Sequence, residues 1–178
     1  SAAQSAMDVA HFSSRGPCDD GRFKPDIVAP GTHVSGGVAQ AANPAATGTA
    51  IACYTGEGVS GGVSSIYFPS SGQQFYTASS GTSHSTPGVA GACALLRQYF
   101  INQSLTPPSP AMTKAFLVNS SRYLTGVSAN DTLPSHNQGM GGVNLGTAFD
   151  GTSRVLRDQI GAEKFTASGQ SRSYSGTV

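Results

Sequence analysis

The sequence predicts an α/β fold with a parallel sheet, and three observations lead to this prediction. The apolar run 27–29, Ile-Val-Ala, lies between Pro25 and Pro30 and is typical of a short, buried parallel strand. Two helices follow it. The first covers residues 85–103, begins close to a glycine turn, and is almost free of charge, which indicates burial on every side.

The second helix is predicted over residues 109–124. Ser109 is a suitable N-cap, and Pro110 fits the first helical position, where the missing N–H costs nothing. A brief strand at 143–145 and a short helix at 146–149 are expected after it. These elements complete the predicted α/β layer.

Residues 31–80 separate the strand from the first helix. They are rich in Gly, Ser, Ala and Thr, which predicts a long loop with one strand at 64–68. Loops of this length inside compact domains are usually functional or inserted. We therefore expect this segment to extend the domain without forming its core.

Composition limits the classes of function. The 178 residues suffice for one domain with a core, and a net charge of +1 gives no sign of a nucleic-acid or membrane partner. Only 11% of the residues are charged, against about a quarter in an average soluble domain. This balance favours a secreted or extracellular protein. No apolar run of transmembrane length occurs, and the opening residues, without Met or a signal-peptide pattern, lead us to expect a longer protein.

The three cysteines are Cys18, Cys53 and Cys93. None belongs to a Cys-x-x-Cys pair, so a zinc site or a redox pair is not predicted. Cys93 lies in the apolar run of the first helix and is interpreted as a small core residue. A disulfide between Cys18 and Cys53 is left open.

Ser83 lies between a glycine turn and the first helix, in the segment 79–91 with sequence SSGTSHSTPGVAG. At a helix N-terminus, free N–H groups and the positive end of the dipole stabilise a developing negative charge. The Gly-Thr-Ser sequence alone leaves two interpretations, a helix cap and a catalytic nucleophile.

The longer run SGTSHSTPGVAGACALL resembles the nucleophile segment of subtilisin-like serine proteases (subtilases), whose pattern is G-T-S-x-[AS]-x-P-x-V-[AS]-G. Residues 12–32 are similar to the strands that precede that segment, and KAFLVNSSRYL with NQGMGGVNLGTAF is similar to the end of the catalytic domain. The three blocks cover most of residues 12–150 in the family's order. The resemblance implies a subtilisin-like three-layer α/β fold, of which residues 1–150 are the C-terminal portion.

The resemblance also implies roles for three residues. Ser83 would be the nucleophile of a serine endopeptidase that hydrolyses peptide bonds through an acyl-serine intermediate. Thr82 and Ser83 would border the oxyanion hole, with the Ser83 N–H as a donor, and Gly81 would border the substrate channel. His84 stands where the family usually has an apolar residue, and its side chain diverges from that of Ser83 on a helix.

The aspartate and histidine motifs of the subtilase triad, D-[ST]-G and H-G-T-x-V-A-G, do not occur in this sequence. His33 belongs to the turn after strand 27–29, and His11 and His136 are isolated. We expect the two residues, and the oxyanion asparagine, on an N-terminal half of the same protease. That half and a polypeptide substrate are the expected partners, and this chain alone is expected to be inactive.

No cofactor is required for this chemistry. Subtilases often bind structural calcium, but Asp19, Asp20 and Asp131 are scattered in loops, so no metal ligand is assigned. Two alternatives are a non-catalytic scaffold or interaction protein built on a subtilase remnant, and an unrelated β-rich binding module. The intact Gly81 and Ser83 argue against the first, and the match of three blocks argues against the second.

Residues 151–178 change in character and are more polar. They are predicted to form a linker and the first strands of a β-sandwich, such as some subtilases carry behind the catalytic domain. A sandwich needs about seven strands, so it is incomplete here. We expect residues 165–178 to pair with another chain, to continue into further sequence, or to be ordered by packing on the α/β part.

Overall fold

The computed structural model describes residues 5–37 and 76–176. The predicted strand at 64–68 and Cys53 lie outside the described residues. Within the two ranges, no helix is both long and apolar enough to cross a membrane. The elements in chain order are β1 (Val34–Gly37), β2 (Tyr76–Ser79), α1 (Thr82–Asn102), α2 (Pro110–Asn119), α3 (Leu145–Ala148) and a 3-10 turn (Gly161–Glu163).

The core lies between α1, α2 and α3. Phe100 of α1 and Phe116 of α2 meet edge to face, with their ring centroids 5.7 Å apart. Leu96 is fully buried at the centre, and burial of such a side chain contributes about 1.5–3 kcal/mol. The buried members of this core are Ala92, Leu96, Phe100, Phe116, Leu117 and Ala148.

The bounds of α1 agree with the prediction, but the prediction that it is buried on every side is wrong. Leu95 is 53% exposed and Ile101 is 47% exposed. Gly91 and Ala94 on the same side are exposed as well. The described residues cover only one face of α1. A low content of charged residues therefore does not by itself show that a helix is buried on every side.

The predicted strand 27–29 is present as a single parallel bridge between Val28 and Gly142. The Val28 N–H donates to the Gly141 carbonyl at 3.0 Å, and the Val143 N–H donates to the Val28 carbonyl at 2.8 Å. The direction of pairing is therefore as predicted. Its extent is one bridge and not a ladder.

A hairpin that the sequence did not predict leads into α1. Strands β1 and β2 are antiparallel, with Val34 opposite Ser79 and Gly37 opposite Tyr76. Only two residues, Ser80 and Gly81, separate β2 from α1. The hairpin thus delivers the chain directly to the start of the helix that carries Ser83.

Side chains cap the two shorter α-helices. The Ser109 hydroxyl accepts a hydrogen bond from the Met112 N–H at 3.1 Å, and Pro110 is the first residue of α2, as predicted. The Asn144 side chain accepts from the Thr147 N–H at 3.3 Å at the start of α3. Local capping chemistry therefore sets both starts.

The described tail, residues 151–176, contains a 3-10 turn and no strand. Leu156 packs against the helical core. The Arg154 guanidinium lies over the Phe116 ring, 5.0 Å from its centroid. Packing on the α/β part therefore orders at least the first section of this tail. The β-sandwich and the division of the chain at residue 150 remain predictions.

Asp158 fastens the tail to α2. Its carboxylate accepts hydrogen bonds from the Ser109 N–H at 2.7 Å and from the Ser109 hydroxyl at 2.6 Å. Burial raises the pKa of this carboxyl, but the hydrogen bonds from Ser109 and Gln159 outweigh it and hold the pKa below its ordinary value. The ionised carboxylate is therefore the form that the fold favours.

Replacement of Asp158 by alanine is expected to lower the free energy of unfolding by about 1–2 kcal/mol at neutral pH. Because the folded-state pKa is lowered, the contribution is present above the unfolded-state pKa and is lost as pH falls through the folded-state value. Thermal unfolding at neutral and acidic pH measures this, with Asp19→Ala as a control. Equal stability of wild type and Asp158→Ala at neutral pH would contradict the role of Asp158.

Candidate active site

Ser83 is the second residue of α1, and its side chain is exposed. The N-cap of α1 is Gly81, and no side chain caps this helix. The interpretation of Ser83 as a mere helix cap is therefore wrong. In contrast to α2 and α3, the first turn of α1 offers its N–H groups to another acceptor.

The backbone at the start of α1 can stabilise an anion. The His84 N–H turns back to the Gly81 carbonyl at 3.1 Å, while the Ser83 N–H donates to no residue in the described ranges. The helix is 21 residues long, so the positive end of a full dipole lies here. A negative charge that develops on an oxygen beside Ser83 would meet a free donor and a favourable field.

The turn that follows Val28 holds the start of α1 in place. The Gly31 carbonyl accepts a hydrogen bond from the Gly81 N–H at 2.7 Å. A Cβ at Gly31 would lie 2.2 Å from the Ser85 Oγ and 2.8 Å from the Gly81 carbonyl oxygen. Only glycine permits this approach, so Gly31 is a positioning residue that sequence reasoning missed.

Gly81 presents an open face. A Cβ at this position would have the Ser83 N at 3.8 Å and the His84 Cδ2 at 4.0 Å as its nearest neighbours, which are ordinary contacts. Packing among the described residues therefore gives no reason for a glycine, although the backbone φ of 159° does. An approaching substrate backbone would give a second reason, in line with the predicted place of Gly81 beside a substrate channel.

Alanine at Gly81 is expected to lower the midpoint of thermal unfolding, because the backbone there has φ of 159° and ψ of 160°, a region that is essentially restricted to glycine. We expect kcat/KM of the full-length enzyme to fall roughly 10- to 100-fold, because the added methyl group occupies space that the substrate backbone needs. Peptide hydrolysis and thermal unfolding of the same preparation measure the two effects. The matched control is Gly21→Ala, which places a Cβ on another backbone of positive φ (79°) where nothing lies within 4 Å. An unchanged kcat/KM in Gly81→Ala would show that Gly81 does not border the substrate channel.

A cavity of about 270 Å³ lies beside the start of α1. Thr82 and Ser85 contribute to its wall, whereas Ser83 does not. The cavity therefore lies on the side of the helix start that Thr82 and Ser85 face, and not on the side of Ser83. The wall also includes Val9, Val28, Gly31 and Leu124.

The described histidines are not arranged around Ser83. The His136 ring stacks on Phe23, with the centroids 4.5 Å apart, and the His33 N–H donates to the Ser80 hydroxyl at 2.9 Å. Within residues 5–37 and 76–176, no hydrogen bond joins an imidazole to the Ser83 hydroxyl. The structure does not assemble a Ser-His pair from these residues. The four histidines of the chain are His11, His33, His84 and His136.

The loop carboxylates bind neighbouring side chains. Asp20 pairs with Arg22 at 2.6 Å, and Asp131 accepts a hydrogen bond from the Asn137 amide at 2.6 Å. In the part of the chain that the structure describes, no group of three or more His, Cys, Asp or Glu could hold a metal ion. These acids have local structural partners.

An exposed serine at the open N-terminus of a helix is an arrangement that serine hydrolases use. Residues 1–141 match the model of the Subtilase family. The chain therefore belongs to the subtilase family, as the sequence predicted, and the family implies an α/β subtilisin fold. The roles of Ser83, Thr82 and Gly81 stay predictions.

Two curated relatives carry the name serine protease. The chain is 30% identical over 141 residues to the serine protease/ABC transporter B family protein tagD of Dictyostelium discoideum, a match over 72% of this chain and 7% of the relative. It is 31% identical over 144 residues to the tagB protein of the same organism, over 72% of this chain and 6% of the relative. The chain thus spans a small fraction of the length of these relatives.

Proposed function

We propose that this chain is the nucleophile-bearing portion of a serine endopeptidase. The observation that supports this most strongly is the position of Ser83, exposed at the uncapped start of α1. The family and the names of the relatives support a serine peptidase. The chain provides the nucleophile and a share of the oxyanion hole.

In the proposed reaction, the Ser83 Oγ attacks the carbonyl carbon of the scissile peptide bond while a base takes its proton. The carbonyl oxygen becomes an oxyanion that accepts from the Ser83 N–H. The tetrahedral intermediate collapses to an acyl-serine as the C–N bond breaks, and the base returns the proton to the leaving amine. Water then attacks the ester and releases the acid and the free serine.

The base and its orienting aspartate come from a second polypeptide portion, the N-terminal half of the same protease. The geometry of the described residues supports this, because no imidazole within them forms a hydrogen bond with the Ser83 hydroxyl. An unassisted serine hydroxyl is a weak nucleophile at neutral pH. The chain alone is therefore proposed to be inactive.

Two surfaces favour the docking of that portion next to Ser83. Val28 uses its N–H and C=O toward residues 141–143, so the groups of Ile27 and Ala29 face the opposite edge, where no described residue bonds them. The cavity beside the start of α1 borders Ala29 and reaches Thr82. A strand added at this edge would lie beside Ala29, which lines the same cavity as Thr82, the residue before Ser83.

We also propose a secreted or extracellular location, which the low charged fraction of 11% supports. The chemistry requires no cofactor. Structural calcium remains compatible with the family, and no ligand is proposed.

Labelling with a fluorophosphonate tests the proposal, because the reagent reacts with an activated serine. The isolated chain is expected to remain unlabelled, and addition of the N-terminal half is expected to produce labelling at Ser83. Labelling of the isolated chain would overturn the proposal that the base lies on another polypeptide portion. A full-length protein that is neither labelled nor active on peptides would instead support the scaffold alternative.

A further inference from the structure

The end of α1 carries a chemical motif unrelated to the nucleophile. Asn102, the last residue of the helix, is followed by Gln103 and Ser104, which makes an Asn-x-Ser sequence. Such sequences are acceptors for N-glycosylation in proteins that pass through a eukaryotic secretory pathway. The other two sequences of this kind begin at Asn119 and Asn130.

The surroundings of Asn102 leave its reactive nitrogen accessible. Asn102, Gln103 and Ser104 are all exposed. The Gln98 amide donates to the Asn102 Oδ1 at 2.7 Å, while the Asn102 Nδ2 donates to no residue in the described ranges. Ser104 has a left-handed backbone with φ of 57°, so the chain turns away from the helix here. A bulky hydrophilic group on Nδ2 would extend into solvent.

The sequence at Asn119 is built into the fold. The Ser121 hydroxyl donates to the Val118 carbonyl at 2.7 Å and approaches the Met140 carbonyl at 2.5 Å. Ser120, between them, is buried and bonded to the carbonyl of the preceding turn. Asn119 itself is exposed, but its Ser121 hydroxyl is bonded to backbone carbonyls, whereas the Ser104 hydroxyl bonds to no described residue.

The sequence at Asn130 is also held by neighbours. The Tyr123 hydroxyl contacts the Asn130 Oδ1 at 3.3 Å, and the Asp131 carboxylate accepts from the Asn137 amide. The three sequences therefore differ in structure although they share the same pattern.

We propose that Asn102 is an N-glycosylation site. The step is a glycosyl transfer from a lipid-linked oligosaccharide diphosphate: the Asn102 Nδ2 forms a bond to C1 of the first sugar, the C1–O bond to the diphosphate breaks, and Nδ2 loses a proton. This rests on the proposed secretory route and not on the proposed peptidase activity.

A glycan at Asn102 would leave Ser83 accessible to substrate. At 1.5 Å per residue, the 21-residue helix separates Asn102 from Ser83 by about 30 Å. Ile101 and Leu105 beside the site are 47% and 41% exposed. A glycan on Asn102 would shield these apolar side chains from solvent and leave the start of α1 uncovered.

The test is peptide mapping of the full-length protein, directed into the secretory pathway of a eukaryotic host. Enzymatic release of N-glycans converts a glycosylated asparagine into aspartate, and we expect this conversion at position 102. Asn102→Gln and Ser104→Ala should abolish it, and the matched variant Ser104→Thr should retain it. Ser121→Ala should leave it unchanged.

An unmodified Asn102 in the wild-type protein recovered from the secretory pathway would overturn the proposal. So would retention of the modification at position 102 in Ser104→Ala. The readout is a mass at one residue and is independent of peptidase activity. Failure of this proposal and failure of the proposed function are therefore distinguishable.

Discussion

Replacing Ser83 by alanine in the full-length protein is expected to lower kcat for peptide hydrolysis on the order of 10⁶-fold, the loss that follows removal of the nucleophile in subtilisin. The variant removes one oxygen, without which no acyl-enzyme forms. Ser83 is exposed, and its hydroxyl bonds to no residue in the described ranges, so thermal stability should remain within error of the wild type. Peptide hydrolysis, fluorophosphonate labelling and thermal unfolding measure the three effects.

The control for this prediction is Thr86→Ala, which removes another exposed hydroxyl from the beginning of the same helix. The Thr86 hydroxyl donates to the Thr82 carbonyl at 3.0 Å, so its loss should be small in both activity and stability. Substantial residual turnover in Ser83→Ala, with labelling at another residue, would show that the nucleophile lies elsewhere.

The second large effect is expected from Gly31→Ala, roughly a 10²-fold loss of kcat from displacement of the nucleophile by about 1 Å. The Ser85 side chain could rotate away from the new Cβ, but the Gly81 carbonyl at 2.8 Å is backbone and must move. That movement breaks or bends the hydrogen bond between Gly81 and Gly31 and shifts the first turn of α1. KM should change less than kcat, because Gly31 acts on the position of Ser83.

A matched control exists in the adjacent strand. At Gly36 an added Cβ meets nothing within 4 Å, so Gly36→Ala should keep full activity. Steady-state kinetics of the two variants are measured in the full-length enzyme, and circular dichroism confirms that both fold. Together they separate an effect on the position of Ser83 from an effect on the stability of the protein. If Gly31→Ala and Gly36→Ala have the same kcat as the wild type, the close approach of the turn has no bearing on catalysis.

The elements that the sequence predicted well are those specified by their own residues. The start of α2 follows from the Ser109 hydroxyl and the ring of Pro110, both of which act locally. The hairpin was missed because its strands are short, because Gly36 and Gly37 have weak strand propensity, and because pairing joins residues distant in sequence. Such pairing leaves little trace in a local pattern.

The site shows the same division. Ser83 was found from a motif, since the residues around a nucleophile lie next to it in the chain. The sequence assigns no role to Gly31. This position has no room for a side chain because Ser85 and Gly81 lie against it, and only the folded chain brings these residues together. The exposed face of α1 was not predicted for a related reason. The composition of a helix is a property of its own residues, whereas its burial depends on which other elements pack against it.

The hairpin gives the domain tolerance to changes of length. The chain leaves β1 at Gly37 and enters β2 at Tyr76, and these two residues are paired neighbours. The chain therefore returns at Tyr76 to the point on the fold that it left at Gly37. The entropy of closing a flexible loop grows only with the logarithm of its length, so two paired ends of this kind accept connections of different lengths at little cost in folding free energy. The number of residues from β2 to Ser83 does not depend on that length.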